Sequence, residues 1–225
     1  MSDRQYYRQA RPEMLDHMTW NVGCCLEVGC GSGNFAQLVK KHKNVSEYWG
    51  IEIEEQSAKE AKKTLNRVLV GNAEELVEQL PDNHFDTVVF NDSLEHLIDP
   101  LGLLKIIKTK LTARGQIIAS IPNVRYYKNL YNLIFKKQWR YEDSGILDRT
   151  HLRFFTQQSI IDTFAEAEFN INSIQGINGT RKLKIRLLGP LTFGVLGDIS
   201  YLQFAVNACA AEHCTSSEPF GLEAA

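Results

Sequence analysis

The chain has no surplus of charge of either sign. Its 225 residues carry 25 lysines and arginines against 27 aspartates and glutamates, a formal net charge of −2. Binding to nucleic acid through bulk charge needs a basic surplus, so no nucleic-acid partner is expected. No apolar run reaches the roughly 20 residues that span a bilayer, and Met1-Ser2-Asp3-Arg4 does not open a secretory leader. No integral membrane association is expected, and the expected location is cytoplasmic. Only five cysteines are present: Cys24, Cys25, Cys30, Cys209 and Cys214. None forms a C-x-x-C pair and no histidine lies near them at ligand spacing, so no metal site is expected. An odd count without a leader fits reduced thiols. Internal repeats and low-complexity blocks are also lacking.

What is present is enough apolar material for one substantial core, 44% of the residues. It also contains a distinctive loop. Leu26-Glu27-Val28-Gly29-Cys30-Gly31-Ser32-Gly33-Asn34-Phe35 reads as a buried strand ending in an acid, three alternate glycines, and a helix start. Glycine lets backbone approach a ligand closely and tolerates positive φ. The helix that follows presents unpaired N–H groups. The dinucleotide fingerprint places its third glycine one position later than Gly33, where this chain has Asn34. The pattern here is acidic-x-G-x-G-x-G.

Three further segments accompany the loop. Trp49-Gly50-Ile51-Glu52-Ile53 is a second strand ending in a carboxylate about twenty residues on, where an acid can accept from ribose hydroxyls. Gly71-Asn72-Ala73-Glu74 follows the short strand Arg67–Val70. Phe85 to Leu97 is a fourth strand followed by Leu94-Glu95-His96-Leu97. In this order and spacing the four segments resemble the class I S-adenosylmethionine-dependent methyltransferases, firmly over residues 22–122. The resemblance extends to bacterial sugar- and polysaccharide-pathway and type 11/12 small-molecule enzymes. It implies S-adenosyl-L-methionine as cofactor and S-adenosyl-L-homocysteine as product. It assigns cofactor contacts to Glu27, Gly29, Cys30, Gly31, Gly33, Glu52, Ile53, Asn72, Ala73, Glu74, Asn91 and Asp92. Tyr6 and Arg11 are expected to close the cofactor from the N-terminal side, with an Arg there paired to its carboxylate.

Strands alternating with helices along the chain imply a parallel sheet covered on both faces. With the resemblance, the expected fold is α/β: a Rossmann-like seven-stranded sheet, mostly parallel with one antiparallel strand. A single domain is expected over 1–210, with lid insertions at 123–150 and 180–200 and a flexible tail at 211–225. The first insertion interleaves aromatics with Lys and Arg and is too long for an ordinary connection. A helix over Thr156–Ala167 is expected, with Thr156 as N-cap.

Methyl transfer from a sulfonium is an in-line displacement that proximity and alignment accelerate. A hydroxyl acceptor gains from a base. His151, inside Asp148-Arg149-Thr150-His151-Leu152-Arg153, and Asp92 are the catalytic candidates. His96, Tyr126, Tyr127, Arg149 and His151 are the acceptor-binding candidates. The expected acceptor is a small molecule, a hydroxyl of a sugar or glycan precursor. Alternatives are a quinone or other aromatic O-methyltransferase, a non-catalytic cofactor-binding regulator, and an NAD oxidoreductase. No oligomeric state is implied.

Overall fold

The computed structural model describes residues 10–210. Seven strands form one sheet: β1 Asn21–Val28, β2 Asn44–Glu52, β3 Arg67–Val70, β4 Phe85–Asn91, β5 Leu111–Pro122, β6 Phe169–Ile177 and β7 Gln203–Ala210. Their order is β3-β2-β1-β4-β5-β7-β6. The pairs from β3 to β5 are parallel, and β7 runs antiparallel to both β5 and β6. The sheet is the expected one, mostly parallel with one antiparallel strand. The order reverses direction between β1 and β4, which opens a crevice at the carboxyl ends of those strands.

The central strands are buried on both sides, as their continuous apolar runs require. Leu26, Val28, Val88 and Phe90 face one core with Leu103, Leu104, Ile107, Ile160 and Phe164. Cys25, Tyr48, Val89 and Ile118 face the other with Phe35, Ala36, Val39 and Met14. The helices are α1 Asn34–His42, α2 Glu55–Ala61, α3 Ala73–Leu76, α4 Pro100–Lys110, α5 Tyr127–Lys136, α6 Gln157–Glu166, α7 Leu183–Arg186 and α8 Leu188–Leu191. Thr156 caps α6 in a capping box with Ser159. Ahead of β1, Pro12–His17 forms a short 3₁₀ turn. Arg114-Gly115 falls at an irregularity inside β5, where the register jumps between Phe85↔Leu111 and Thr87↔Gln116.

Within the first inserted segment, α5 is followed by a loop. The second holds α7 and α8. Arg125 ties the two together: its Nε donates to Asp198 Oδ2 at 2.6 Å and a terminal nitrogen to the Val195 carbonyl at 2.7 Å. Cys24, Cys25 and Cys30 are free. No helix among the described residues is long and apolar enough to cross a membrane. The expected tail at 211–225 and the candidate Tyr6 lie outside the described residues.

Gly50 shows how β2 supports the glycine loop. A Cβ there would overlap the Cys30 sulfur and come within 2.6 Å of Leu65 Cδ2. Gly50→Val is expected to cost about 2 kcal/mol through overpacking. It should also push Cys30, and so the loop, off its position. Urea midpoints with an unchanged slope, read beside S-adenosylhomocysteine affinity, check both effects.

Candidate functional site

A cavity of about 1010 Å³ opens at the crevice. That volume is at the top of the range for small-molecule sites and leaves room for two reactants. The glycine loop forms its floor. Gly29, Gly31 and Gly33 all take positive φ, 77°, 53° and 81°. The N–H groups of Gly29 and Cys30 both bond the Ile51 carbonyl, at 2.9 and 3.1 Å, which fixes the loop against the end of β2.

Glu52 closes the opposite side. Its Oε2 accepts from Gly31 N at 2.8 Å and its Oε1 from Glu54 N at 2.9 Å. Burial raises its pKa despite these bonds. Two backbone donors thus fix a carboxylate whose remaining lone pairs are available to hydroxyls in the cavity. Glu27 lies deeper. Its carboxyl accepts from the Tyr48 hydroxyl at 3.0 Å and from Asn91 Nδ2 at 3.2 Å. Burial pushes its pKa up to about 8. Asn91 Oδ1 is buried without a protein partner. An orphaned acceptor on the cavity wall fits a ligand that brings its own donor, such as an ammonium group. Asn72 caps α3 through Glu74 N at 3.0 Å. The Glu74 carboxylate holds Ile98 N at 3.1 Å and Asp99 N at 2.7 Å. Ile53 and Ala73 complete this side.

The raised Glu27 pKa has a consequence for stability. An unfolded glutamate has a pKa near 4.5, so between that value and about 8 the folded chain holds the extra proton. Stability should therefore fall as pH rises through this window and level off above it. Glu27→Gln keeps a hydrogen-bonding side chain without the ionisation and is expected to make the decline shallower, with the buried Glu95, also pushed up to about 8, keeping its own share. Thermal midpoints of the ligand-free protein across that range check it.

Asp92 has φ of 50° at the end of β4. Its Oδ1 accepts from Ser120 Oγ at 3.0 Å and Gln203 Nε2 at 2.7 Å, and its Oδ2 pairs with Arg11. Arg11 also donates to Glu13 Oε1 at 2.8 Å and Gln203 Oε1 at 3.3 Å. Both residues touch the cavity, yet both are committed to a brace joining the N-terminal turn, β4, β5 and β7. Asp92→Asn keeps Oδ1 and removes the charge opposite a buried guanidinium. It is expected to lower stability by about 2 kcal/mol, measured by denaturant unfolding.

The far wall is built from the turn Leu94–His96 and the segment after residue 142. The Glu95 carbonyl accepts from Leu152 N at 2.8 Å and Arg153 N at 3.0 Å, which clamps one onto the other. His96 lines the cavity, and its Nδ1 meets the Thr150 carbonyl at 3.2 Å. His151 stands behind it, edge to face at 4.7 Å between centroids. Its Nδ1 meets the Ile146 carbonyl at 2.9 Å, and it is not among the lining residues. Burial lowers the pKa of both imidazoles, and for His96 the neighbouring His151 adds to this. Arg149 lines the rim and bonds Asp143 Oδ1 at 2.7 Å. Tyr126 and Tyr127 sit at the start of α5, ring to ring at 4.7 Å, and do not line the cavity.

Two residues of the site escaped the sequence reading. Ser93 Oγ and both Glu95 carboxylate oxygens are buried without hydrogen-bond partners. Glu95 lies inside the noticed Leu-Glu-His-Leu turn, and its adjacency to His96 was the available signal.

A parallel sheet with a reversal point, a glycine-lined floor and a strand-end acid define a nucleoside-cofactor enzyme of the methyltransferase type. The chain belongs to the methyltransferase-domain family, whose model matches residues 3–174, and it is a class I S-adenosylmethionine-dependent methyltransferase. Similar solved structures include an S-adenosylmethionine-dependent methyltransferase from Archaeoglobus fulgidus. It is 18% identical, with 92% of this chain and 94% of that one covered at a TM-score of 0.67. One from Mesorhizobium loti is 15% identical, with 89% and 97% covered at 0.62. One from Aquifex aeolicus is 16% identical, with 92% and 93% covered at 0.58. At such identities the likeness is one of fold. No curated protein matches the chain at a significant level.

Proposed function

We propose that the protein transfers a methyl group to a hydroxyl of a small molecule, a sugar or glycan precursor. One observation carries this reading: the wall opposite the glycine loop is polar and holds an imidazole–carboxylate cluster. Asp143, Ser144, Asp148, Arg149 and Thr150 line that side with His96. Such side chains suit a hydroxyl-rich acceptor. A flat aromatic acceptor would favour ring surfaces, and Tyr126, Tyr127, Tyr131 and Trp139 are not among the lining residues.

Bound S-adenosylmethionine supplies an activated methyl group on a sulfonium. Glu52 holds ribose hydroxyls, Asn72, Ala73 and Glu74 surround the adenine, and Glu27 and Asn91 receive the amino end. The bare backbone of Gly29, Cys30, Gly31 and Gly33 lets the ligand lie close. The acceptor hydroxyl loses its proton at the cluster of Glu95, His96 and His151, with His96 facing it. His151 acts from behind, and Asp92 holds the wall's shape. An amine or carboxylate acceptor would have less need of such a cluster.

The two tied insertions, residues 123–150 and 180–200, act as a lid in one domain. Phe135, Leu191 and Phe193 are exposed there beside Lys136, Lys137, Lys184 and Arg186. That surface suits an acceptor with anionic and apolar parts, such as a lipid-linked glycan. The test is a product mass gain of about one methylene across sugars, nucleotide sugars, catechols and amines. Methylated sugars or nucleotide sugars are expected. Methylation confined to catechols or amines would overturn the reading.

A further inference from the structure

We infer that Glu95, His96 and His151 together bind a first-row divalent transition-metal ion at the cavity wall. One ligand atom from each lies within 4.8 Å of the other two. Glu95 is 1% exposed and neither of its carboxylate oxygens has a hydrogen-bond partner. An unpaired buried polar group costs roughly 1–3 kcal/mol, more for a charged one. A ligand would remove that cost. The His151 Nε2 lies 3.9 Å from Glu95 Oε1. That is too long for a hydrogen bond. It is close to the separation of about 3.4 Å between tetrahedral ligands held ~2.0–2.1 Å from zinc.

The His151 imidazole is oriented as a metal ligand is, with Nδ1 on the Ile146 carbonyl and Nε2 toward Glu95. A carbonyl oxygen only accepts, so Nδ1 of His151 donates to Ile146 and Nδ1 of His96 to Thr150. The lone pair of each ring is therefore on Nε2. A ligating histidine almost always donates its other N–H to such a carbonyl or carboxylate. Two imidazoles and one carboxylate suit zinc, iron, cobalt or nickel better than magnesium or calcium, which prefer all-oxygen shells.

His96 is on the cavity surface, so coordination positions left open by the three side chains face the acceptor. A hydroxyl placed there would be acidified by the ion. That role rests on the hydroxyl-acceptor reading above; binding of the ion does not.

Cobalt(II) is the probe, because its visible spectrum reports coordination. A second cluster, Cys24, Glu47 and His84, could compete, so binding is compared in the natural chain and in His84→Ala. One ion per chain is expected in His84→Ala, with a visible band and two far-shifted exchangeable imidazole N–H resonances. Glu95→Gln and His151→Asn should each weaken binding at least ~10-fold, the size seen even for outer-shell partners. S-adenosylhomocysteine affinity shows that these variants remain folded. If they fail that control, the resonance count in His84→Ala decides: two support the site and fewer overturn it. Absence of the band in His84→Ala, or an unchanged band in folded Glu95→Gln, would also overturn it. Cobalt binding without methylation of any hydroxyl would leave the ion site standing and remove the acceptor reading alone.

Discussion

Glu52→Ala is expected to weaken S-adenosylhomocysteine binding about a hundredfold. Backbone donors on either side, Gly31 N and Glu54 N, fix the carboxylate in place. Hydrogen bonds to charged groups contribute roughly 1.5–3 kcal/mol each, and the loss of a pair to ribose hydroxyls corresponds to that drop in affinity. The substitution also frees the Gly31 amide, which loosens the loop at φ of 53°. Glu52→Gln separates the two effects. It keeps an oxygen for Gly31 and is expected to lose about tenfold. Calorimetric titration of all three proteins checks the order. Equal affinity for the natural chain and Glu52→Ala would remove Glu52 from the cofactor site.

The floor was legible in the sequence because backbone geometry dictates it. Alternate glycines at 29, 31 and 33 announce positive φ. A strand-end acid twenty residues on marks the neighbouring parallel strand. Both are local signals read through a known crossover rule. The far wall was only half legible. His96 and His151 were singled out, but which of them meets the cavity depends on how the segment after residue 142 folds back onto Leu94–His96. That folding is set by backbone bonds such as Leu152 N to the Glu95 carbonyl, which no periodicity encodes. Arg11 shows the same limit. Its sequence position suggested a cofactor carboxylate; its guanidinium lines the cavity and also holds Asp92, Glu13 and Gln203, partners that its position alone does not reveal. Tyr126 and Tyr127 looked like acceptor contacts from aromatic density alone, and they pack on each other at the start of α5. Long-range pairing decides these cases, and one sequence carries little of it.

His96→Ala is expected to lower kcat on a hydroxyl acceptor by ~10²–10⁴-fold, the usual contribution of a positioned proton acceptor. Affinity for S-adenosylhomocysteine should stay nearly unchanged, because the glycine loop, Glu52 and Asn91 lie on the other side of the cavity. The reasoning follows from where charge changes during the reaction. As the methyl leaves sulfur, a neutral hydroxyl oxygen becomes positive unless its proton departs, and His96 is the imidazole of the cluster that faces this space. Direct transfer to the ring and acidification by an ion both require it, so either route fails in the variant. Tyr126→Phe serves as the contrast. That hydroxyl lies away from the cavity, and turnover should remain within about twofold. Rates at saturating cofactor, with the fold checked by thermal melting, decide the matter. If His96→Ala turned over as fast as the natural chain, the proton would have to leave by another path, and the polar wall would be a binding surface only.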